Sequence, residues 1–197
     1  MKPKVKFCGM TRSEDIAAAG QLSVDFVGFI FVPSSPRSVR FDEALELRKS
    51  ISTAKAIGVF MDDTVDLIEK YADALQLDLV QLHSNPDIER VKKISKPVIQ
   101  AFRGVPDVQT LESFLQYCPY VLIDKADGQE EVDFDAVAAL PPHIRSKLFL
   151  AGGLTPGNVR SAADRIQPFA VDCARGIESQ PGIKNHHRML AFSHALS

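Results

Sequence analysis

The sequence predicts an α/β fold, a single (β/α)8 TIM barrel whose parallel eight-stranded sheet is closed and ringed by helices. Two observations carry this prediction. Short apolar segments recur along the chain, and each is followed by a segment whose apolar residues return at helical spacing. Eight such pairs can be counted, the number that closes this barrel. Because 197 residues lie at the lower edge of the fold's size range, we expect one domain over residues 1–197.

The predicted strands are rich in Val, Ile and Phe at consecutive positions, as expected of strands that are buried on both faces. They cover residues 5–8, 25–31, 56–60, 78–82, 97–102, 120–124, 147–151 and 169–173. Between them, apolar residues recur with the period of one helix face. Capping residues and prolines mark expected helix starts at Ser13, Thr64, Asn85-Pro86 and Thr155-Pro156.

The composition argues against several classes of protein. The formal net charge is −2, which gives no electrostatic footprint for nucleic acid or an anionic membrane. No apolar run approaches the ~20 residues that span a bilayer. Three cysteines without metal-ligand spacing indicate reduced thiols and a cytoplasmic location. We expect no nucleic-acid partner, no membrane partner and no bound metal.

Two reactive side chains stand at the C-terminal ends of predicted strands, where active sites of this barrel lie. Cys8 ends the first strand, and an electropositive environment there would lower the pKa of its thiol and make it a base or nucleophile. Asp124 ends the sixth, where partial burial would raise the pKa of its carboxyl toward general-acid use. Each has a plain alternative: an inert buried thiol, and a turn or helix cap.

Arg37 and His83 are further candidates at strand ends. Two prolines stiffen the loop before Arg37, which suits it to two-point binding of a carboxylate or phosphate; a solvated surface arginine is the alternative. His83 could contact a substrate, although a satisfied core histidine is the simpler interpretation. The adjacent His186 and His187 are most simply a solvated pair.

Two glycine-containing loops follow the seventh and eighth predicted strands. Glycine lets backbone N–H groups approach an oxyanion, and these two loops form the usual phosphate site of such barrels. Each loop alone could be a plain turn, but together they predict a small phosphorylated molecule as ligand. The candidate phosphate-binding residues are Gly152, Gly153, Ala174, Arg175 and Gly176.

Taken together, these segments resemble the phosphoribosylanthranilate isomerase family of tryptophan biosynthesis, and the resemblance covers essentially the whole chain. Gly-Gly-Leu is shared by several phosphate-binding barrels, whereas the first three of the following runs are specific in combination. The runs are Lys6-Phe7-Cys8-Gly9-Met10-Thr11, Gly28-Phe29-Ile30-Phe31, Ser35-Pro36-Arg37, Gln81-Leu82-His83, Ala151-Gly152-Gly153-Leu154 and Asp172 through Glu178.

The resemblance implies a ketol-isomerase, an intramolecular oxidoreductase that works without cofactor or metal. It would convert N-(5′-phosphoribosyl)anthranilate to 1-(2-carboxyphenylamino)-1-deoxyribulose 5-phosphate by an Amadori rearrangement. Asp124 would be the general acid and Cys8, as thiolate, the general base. Arg37 would hold the anthranilate carboxylate, with His83 and Asp172 at the substrate. The two glycine loops would cradle the phosphate, and the enzyme is expected as a monomer or homodimer.

Two segments depart from the family pattern. After its acid the family usually carries Gly-Gly-Thr-Gly-Lys, where this chain has one glycine and three acids in residues 125–132. The last loop usually reads Asp-Val-Ser-Ser-Gly, and here Arg175 could replace the missing serine donors. Two alternatives stay open: a barrel that binds the phosphorylated ligand without efficient turnover, and another sugar-phosphate barrel enzyme. A metal-dependent epimerase would need several ligands at strand ends, where only His83 qualifies among the histidines.

Overall fold

The computed structural model describes residues 2–197 and confirms the predicted barrel. Eight parallel strands pair in sequence order, and the last pairs with the first to close the sheet. Each predicted strand is present, and its bounds differ by at most one residue at either end. The strands are β1 (Lys4–Cys8), β2 (Phe26–Ile30), β3 (Lys55–Phe60), β4 (Leu79–Leu82), β5 (Val98–Arg103), β6 (Tyr120–Asp124), β7 (Leu148–Leu150) and β8 (Ala170–Cys173).

Helices pack around the outside of the sheet, and their buried residues join strand residues in the larger apolar cluster of the core. Two short helices connect β6 and β7, so the described chain has nine α-helices rather than the predicted eight. They are α1 (Ser13–Gln21), α2 (Phe41–Arg48), α3 (Val65–Ala74), α4 (Ile88–Val91), α5 (Val108–Leu115), α6 (Phe134–Ala138), α7 (Pro142–Arg145), α8 (Val159–Ile166) and α9 (His186–Ala195).

Two of the four predicted helix starts are confirmed. Helix α1 begins at Ser13, and Thr64 caps α3 by accepting a hydrogen bond from the Leu67 amide. The other two helices, α4 and α8, start later than predicted. Asp87, and not Asn85, is the residue that caps α4. The Oδ1 atom of Asn158 accepts from the Thr155 amide at 2.8 Å, so a turn precedes α8.

A hairpin that the sequence reasoning did not predict follows β8. A short 3₁₀ turn at Arg175–Ile177 leads into β9 (Glu178–Gln180), which pairs antiparallel with β10 (Ile183–Lys184). Strands of two and three residues are too short to show a periodic pattern, which is why the sequence did not reveal them. The hairpin brings residues 178–184 back to the C-terminal ends of β1 and β8, where Lys184 contacts the backbone of Cys8 and Ala174.

Helix α9 is tied to α1 through a buried carboxylate. Asp15 is fully buried and accepts hydrogen bonds from Arg12 and from the Lys184 amide. The Nε2 atom of His186 lies 2.8 Å from Asp15 Oδ1, while 48% of its side chain remains exposed, so His186 is solvated as predicted and also contacts this carboxylate. His187 is exposed, as predicted.

The two ends of the barrel interior differ in chemistry. At the N-terminal ends of the strands, Phe26 packs on Phe149 with ring centroids 5.3 Å apart, and Tyr120 stacks on Phe169 at 4.4 Å. At the C-terminal ends, the buried residues include Lys6, Gln81, Gln100 and Asp172. Within residues 2–197, no helix combines the length and the apolar character needed to cross a membrane.

Candidate active site

The C-terminal ends of the strands surround an open cleft of about 900 Å³. All the site residues predicted from the sequence line this cleft, because closure of the barrel gathers strand ends that are far apart along the chain. They are Cys8, Arg37, His83, Asp124, Gly152, Gly153, Asp172, Ala174, Arg175 and Gly176.

Cys8 is a buried thiol whose space is made by a glycine on the neighbouring strand. Gly28 pairs with Cys8 in the sheet, and a Cβ atom at Gly28 would lie 2.9 Å from Cys8 Sγ. Burial raises the pKa of the Cys8 thiol, whereas the charge and hydrogen bond of Lys6 act to lower it. The predicted electropositive neighbour is present, but the expected fall in pKa is wrong because burial outweighs it.

Lys6 is the cation beside the thiol, and it is held in a buried ion pair. Lys6 and Asp172 are register partners on β1 and β8, and Lys6 Nζ lies 2.7 Å from Asp172 Oδ2. Burial alone would lower the pKa of Lys6, but Asp172 and Cys8 raise it above its ordinary value, so the ammonium stays charged. Burial raises the pKa of Asp172, and within residues 2–197 its Oδ1 atom has no hydrogen-bond partner.

Asp124 presents one carboxylate oxygen to the cleft. Its Oδ1 atom accepts a hydrogen bond from the amide of the next residue, Lys125, at 2.7 Å. Its Oδ2 atom lies 3.8 Å from His83 Nε2, too far for a direct hydrogen bond. Burial lowers the pKa of His83, which favours the neutral imidazole at pH 7. Since His83 Nε2 has no hydrogen-bond partner in the described chain, the interpretation as a satisfied core histidine is wrong.

Arg37 is a fixed side chain, with only 18% of its surface exposed, and not a solvated arginine. Its Nε and Nη2 atoms donate to Glu178 Oε1 and Oε2 at 2.8 and 2.7 Å. Gly9, at a φ of +70°, lies against it, and a Cβ atom there would be 2.9 Å from Arg37 Cδ. The sequence reasoning missed Glu178, since the two residues are 141 positions apart.

The glycines of the loops after β7 and β8 pack closely against neighbouring backbone. Gly152 and Gly153 both adopt a φ of +85°, a conformation that L side chains rarely adopt. Gly176 packs directly against the backbone of Leu154, which leaves no space for a side chain. Cys173 Sγ donates to Leu154 O at 3.2 Å and ties the two loops together.

The acidic segment after β6 packs onto this pair of loops. Glu131 lies against Gly153, and its Oε1 atom accepts a hydrogen bond from Asn158 Nδ2 at 3.1 Å. The Val132 amide donates to Gly152 O at 3.0 Å. Glu130 and Glu131 both line the cleft. The atypical segment therefore places negative charge beside the predicted phosphate loops.

The site does not contain an assembled metal centre among residues 2–197, since no three His, Cys, Asp or Glu side chains are placed to share an ion. Its functional groups are a thiol next to an ammonium, a carboxylate, a braced guanidinium and backbone N–H groups. Together they can move protons at one end of a bound molecule while holding anionic groups elsewhere on it. The fold and the site define a (β/α)8-barrel enzyme.

Comparison with known proteins identifies the family. The model of the N-(5′-phosphoribosyl)anthranilate (PRA) isomerase family matches residues 5–195. The isomerase of Dechloromonas aromatica is 35% identical over 199 residues, covering 98% of this chain and 95% of its own. That of Maridesulfovibrio salexigens is 36% identical, with 95% of each chain covered. The chain belongs to the N-(5′-phosphoribosyl)anthranilate isomerase family, which confirms the resemblance seen in the sequence.

Solved structures agree with this assignment. The phosphoribosyl anthranilate isomerase of Thermotoga maritima superposes with a TM-score of 0.86 at 33% identity, with 98% of each chain covered. Another matching structure, with a TM-score of 0.84 at 34% identity, is an isomerase in complex with reduced 1-(o-carboxyphenylamino)-1-deoxyribulose 5-phosphate. The predicted enzyme class, an isomerase of tryptophan biosynthesis, is that of the family.

Proposed function

We propose that this chain isomerises N-(5′-phosphoribosyl)anthranilate to 1-(2-carboxyphenylamino)-1-deoxyribulose 5-phosphate. The observation that carries the proposal is the single cleft that brings Cys8, Asp124 and Arg37 together in a chain of this family. A thiol and a carboxyl at different strand ends supply the base and the acid that an Amadori rearrangement requires. The complex of a solved relative with a reduced product analogue supports the ligand class.

Asp124 is the general acid of the first step. Its Oδ2 atom faces the cleft and delivers a proton to the ribose ring oxygen as the C1′–O bond breaks. The electron pair of the anthranilate nitrogen forms the C1′=N bond, which gives an open-chain Schiff base. The Lys125 amide at Oδ1 fixes the carboxyl orientation.

Cys8 is the general base of the second step. As thiolate it removes the proton from C2′, and the electron pair of that C–H bond forms a C1′=C2′ bond while the C1′=N electrons return to nitrogen. The resulting enolamine tautomerises to the 2′-ketone, so no external oxidant or reductant is needed. Lys6 stabilises the thiolate, because its charge and hydrogen bond favour the ionised thiol.

The remaining side chains hold the substrate. Arg37 binds the anthranilate carboxylate, and His83 and Asp172 contact the reacting part of the substrate from the cleft wall. The backbone of Gly152, Gly153 and residues 174–176 cradles the phosphate. Arg175 adds a charged donor where the family usually has serine.

The test is steady-state turnover of freshly generated phosphoribosylanthranilate, followed by the loss of its fluorescence. Wild-type protein is expected to turn it over, and Cys8→Ser to lose about 10²- to 10⁴-fold in kcat, because a hydroxyl is a much poorer base than a thiolate. Cys118→Ser, which changes a thiol outside the cleft, is the matched control and should keep wild-type kcat. Wild-type protein that binds a product analogue but does not turn over the substrate would instead indicate the alternative of a binding barrel.

The phosphate assignment has its own test in Arg175→Ala. We expect KM to rise about tenfold with little change in kcat, the effect of losing one charge-assisted hydrogen bond to the phosphate. An unchanged KM would remove Arg175 from the phosphate site while leaving the backbone cradle in place.

We take the chain to act as one domain over residues 1–197, as a monomer or homodimer; one matching solved structure is of monomers generated from a dimeric relative. We place it in the cytoplasm, which is supported by three free cysteines in the described chain.

A further inference from the structure

Lys184 is a buried lysine that the proposed chemistry does not use. Its side chain has no exposed surface, and its ammonium reaches two functional segments at once. It donates to the backbone oxygen of Cys8 at 2.6 Å and to that of Ala174 at 3.2 Å. The third hydrogen bond, at 2.9 Å, goes to Glu178 Oε1. All three donor positions of the ammonium are therefore satisfied, which makes this lysine a fixed charge.

Glu178 stands between Lys184 and Arg37 and is bound to both. Its side chain is only 4% exposed, and it also accepts a hydrogen bond from the Gly182 amide at 3.2 Å. Burial acts to raise the pKa of Glu178, but Arg37 and Lys184 hold it below its ordinary value, so the carboxylate is ionised. A buried carboxylate with two cations and an amide is a rigid support for the guanidinium.

The charges of this group determine which ligand Arg37 can bind. Arg37 and Glu178 alone would be a neutral pair, and a neutral pair attracts a carboxylate weakly. Lys184 adds a positive charge, so the three side chains together carry a net charge of +1. The Nε–Nη2 edge of Arg37 is occupied by Glu178, whereas Nη1 has no hydrogen-bond partner within residues 2–197. One edge of the guanidinium is therefore fixed and the other is available.

We propose that Glu178 and Lys184 are positioning residues that aim the free edge of Arg37 at the ring carboxylate of the substrate and keep its site net positive. This inference rests on the proposed function, which assigns that carboxylate to Arg37. The two residues thereby set the preference for an aromatic amine that carries an ortho carboxylate. Neither touches the substrate; both act through Arg37.

A pair of ligands that differ only in that carboxylate tests the proposal. One is reduced 1-(o-carboxyphenylamino)-1-deoxyribulose 5-phosphate, and the other is its counterpart made from aniline, without the carboxylate. The dissociation constant of each is measured by calorimetry for wild type and for Glu178→Gln, Lys184→Met and Arg37→Ala. The readout is the ratio of the two constants, because loss of folding or of the phosphate site would weaken both ligands alike.

The expected pattern is a loss of discrimination. Lys184→Met should bind the carboxylate ligand about 5- to 30-fold more weakly, because the remaining Arg37–Glu178 pair is neutral. Glu178→Gln should weaken binding of that ligand by a similar factor, because Arg37 loses its two-point support and this loss outweighs the rise in net charge. In both variants the aniline ligand should change less than about twofold. Lys92→Met, which removes an exposed lysine paired with Glu89, should leave both constants unchanged. If Lys184→Met does not fold, Glu178→Gln carries the test alone, since an amide replaces the carboxylate with the same shape.

The outcomes separate this inference from the proposed function. If Arg37→Ala abolishes the discrimination but Glu178→Gln and Lys184→Met keep it, the positioning role is wrong and the proposed function stands. If Arg37→Ala itself leaves the ratio unchanged, the carboxylate assignment is wrong and the positioning role fails with it.

Discussion

The two ends of the barrel bury different kinds of side chain, aromatic at the N-terminal ends of the strands and charged or polar at the C-terminal ends. At the N-terminal ends of the strands, four aromatic rings pack together, and peripheral carboxylates cap free strand amides, as Asp25 does for Val5 and Asp78 for Ala56. The C-terminal end instead buries the charged side chain of Lys6. Within residues 2–197, several buried polar atoms of other side chains at this end have no hydrogen-bond partner. These atoms are Gln81 Oε1, His83 Nε2, Gln100 Oε1 and Asp172 Oδ1.

This difference indicates that the N-terminal end contributes mainly to stability and the C-terminal end mainly to the reaction. Buried aromatic contacts stabilise the folded state, whereas buried unpaired polar groups destabilise it unless a ligand satisfies them. The unpaired atoms lie at the end of the barrel that also carries Cys8 and Asp124. We therefore expect substitutions at the N-terminal end to change unfolding and those at the C-terminal end to change turnover.

The largest effect is expected from Asp124→Asn at the C-terminal end. An amide cannot protonate the ring oxygen, so kcat should fall about 10²- to 10⁴-fold, while the reduced product analogue, which is already ring-opened, should bind within about threefold of wild type. Steady-state kinetics and calorimetry measure the two quantities. Wild-type kcat in this variant would transfer the acid role to another group.

Phe26→Ala tests the other end of the barrel. Removing a buried ring from the aromatic cluster should lower the free energy of unfolding by about 3–5 kcal/mol. Urea denaturation followed by circular dichroism measures this, and kcat per folded molecule should stay within about twofold. A large drop in kcat at full folding would show that the two ends are not independent.

Lys6→Met tests the effect of the buried ammonium on the pH dependence of activity. Because burial raises the pKa of Cys8 and Lys6 opposes that rise, activity that depends on thiolate should increase with pH in the wild type. Without the cation the pKa rises further, so kcat/KM at pH 7 should fall roughly 10- to 100-fold and recover at higher pH. Asp172→Asn is the reciprocal variant: since Asp172 raises the pKa of Cys8, the profile should move to lower pH. Profiles that coincide with wild type would exclude a thiolate base.

The smallest effect concerns Glu131, which brings negative charge to the phosphate loops. Glu131→Gln should lower KM about two- to fivefold, the scale of one partly screened charge, and leave kcat unchanged. Glu89→Gln, at an exposed site elsewhere, is the control. An increased KM would mean that the hydrogen bond of Glu131 to Asn158 orders the loop and outweighs its charge.

Strand positions and strand ends could be predicted from the sequence because strands buried on both faces are continuously apolar. Cys8 and Asp124, which end two of these runs, line the cleft. The contacts that barrel closure creates between distant parts of the chain could not be predicted from the sequence. Lys184 is 176 residues from Cys8, and no local pattern links it to that backbone oxygen. The predicted direction of the Cys8 pKa shift was also wrong. The shift depends on how deeply the thiol is buried, which only the packed structure determines.

Alkylation tests whether the thiol at the end of β1 is the reactive group of the cleft. Burial raises the pKa of Cys118 to about 11 and that of Cys173 to about 12, without a lysine hydrogen-bonded to either thiol in the described chain. Burial raises the pKa of Cys8 as well, but Cys8 lines the cleft and has Lys6 beside it to favour the thiolate. Iodoacetamide should therefore modify Cys8 first, in step with the loss of activity, and the reduced product analogue should protect it. Inactivation while Cys8 is unmodified, or full activity after its modification, would contradict the account.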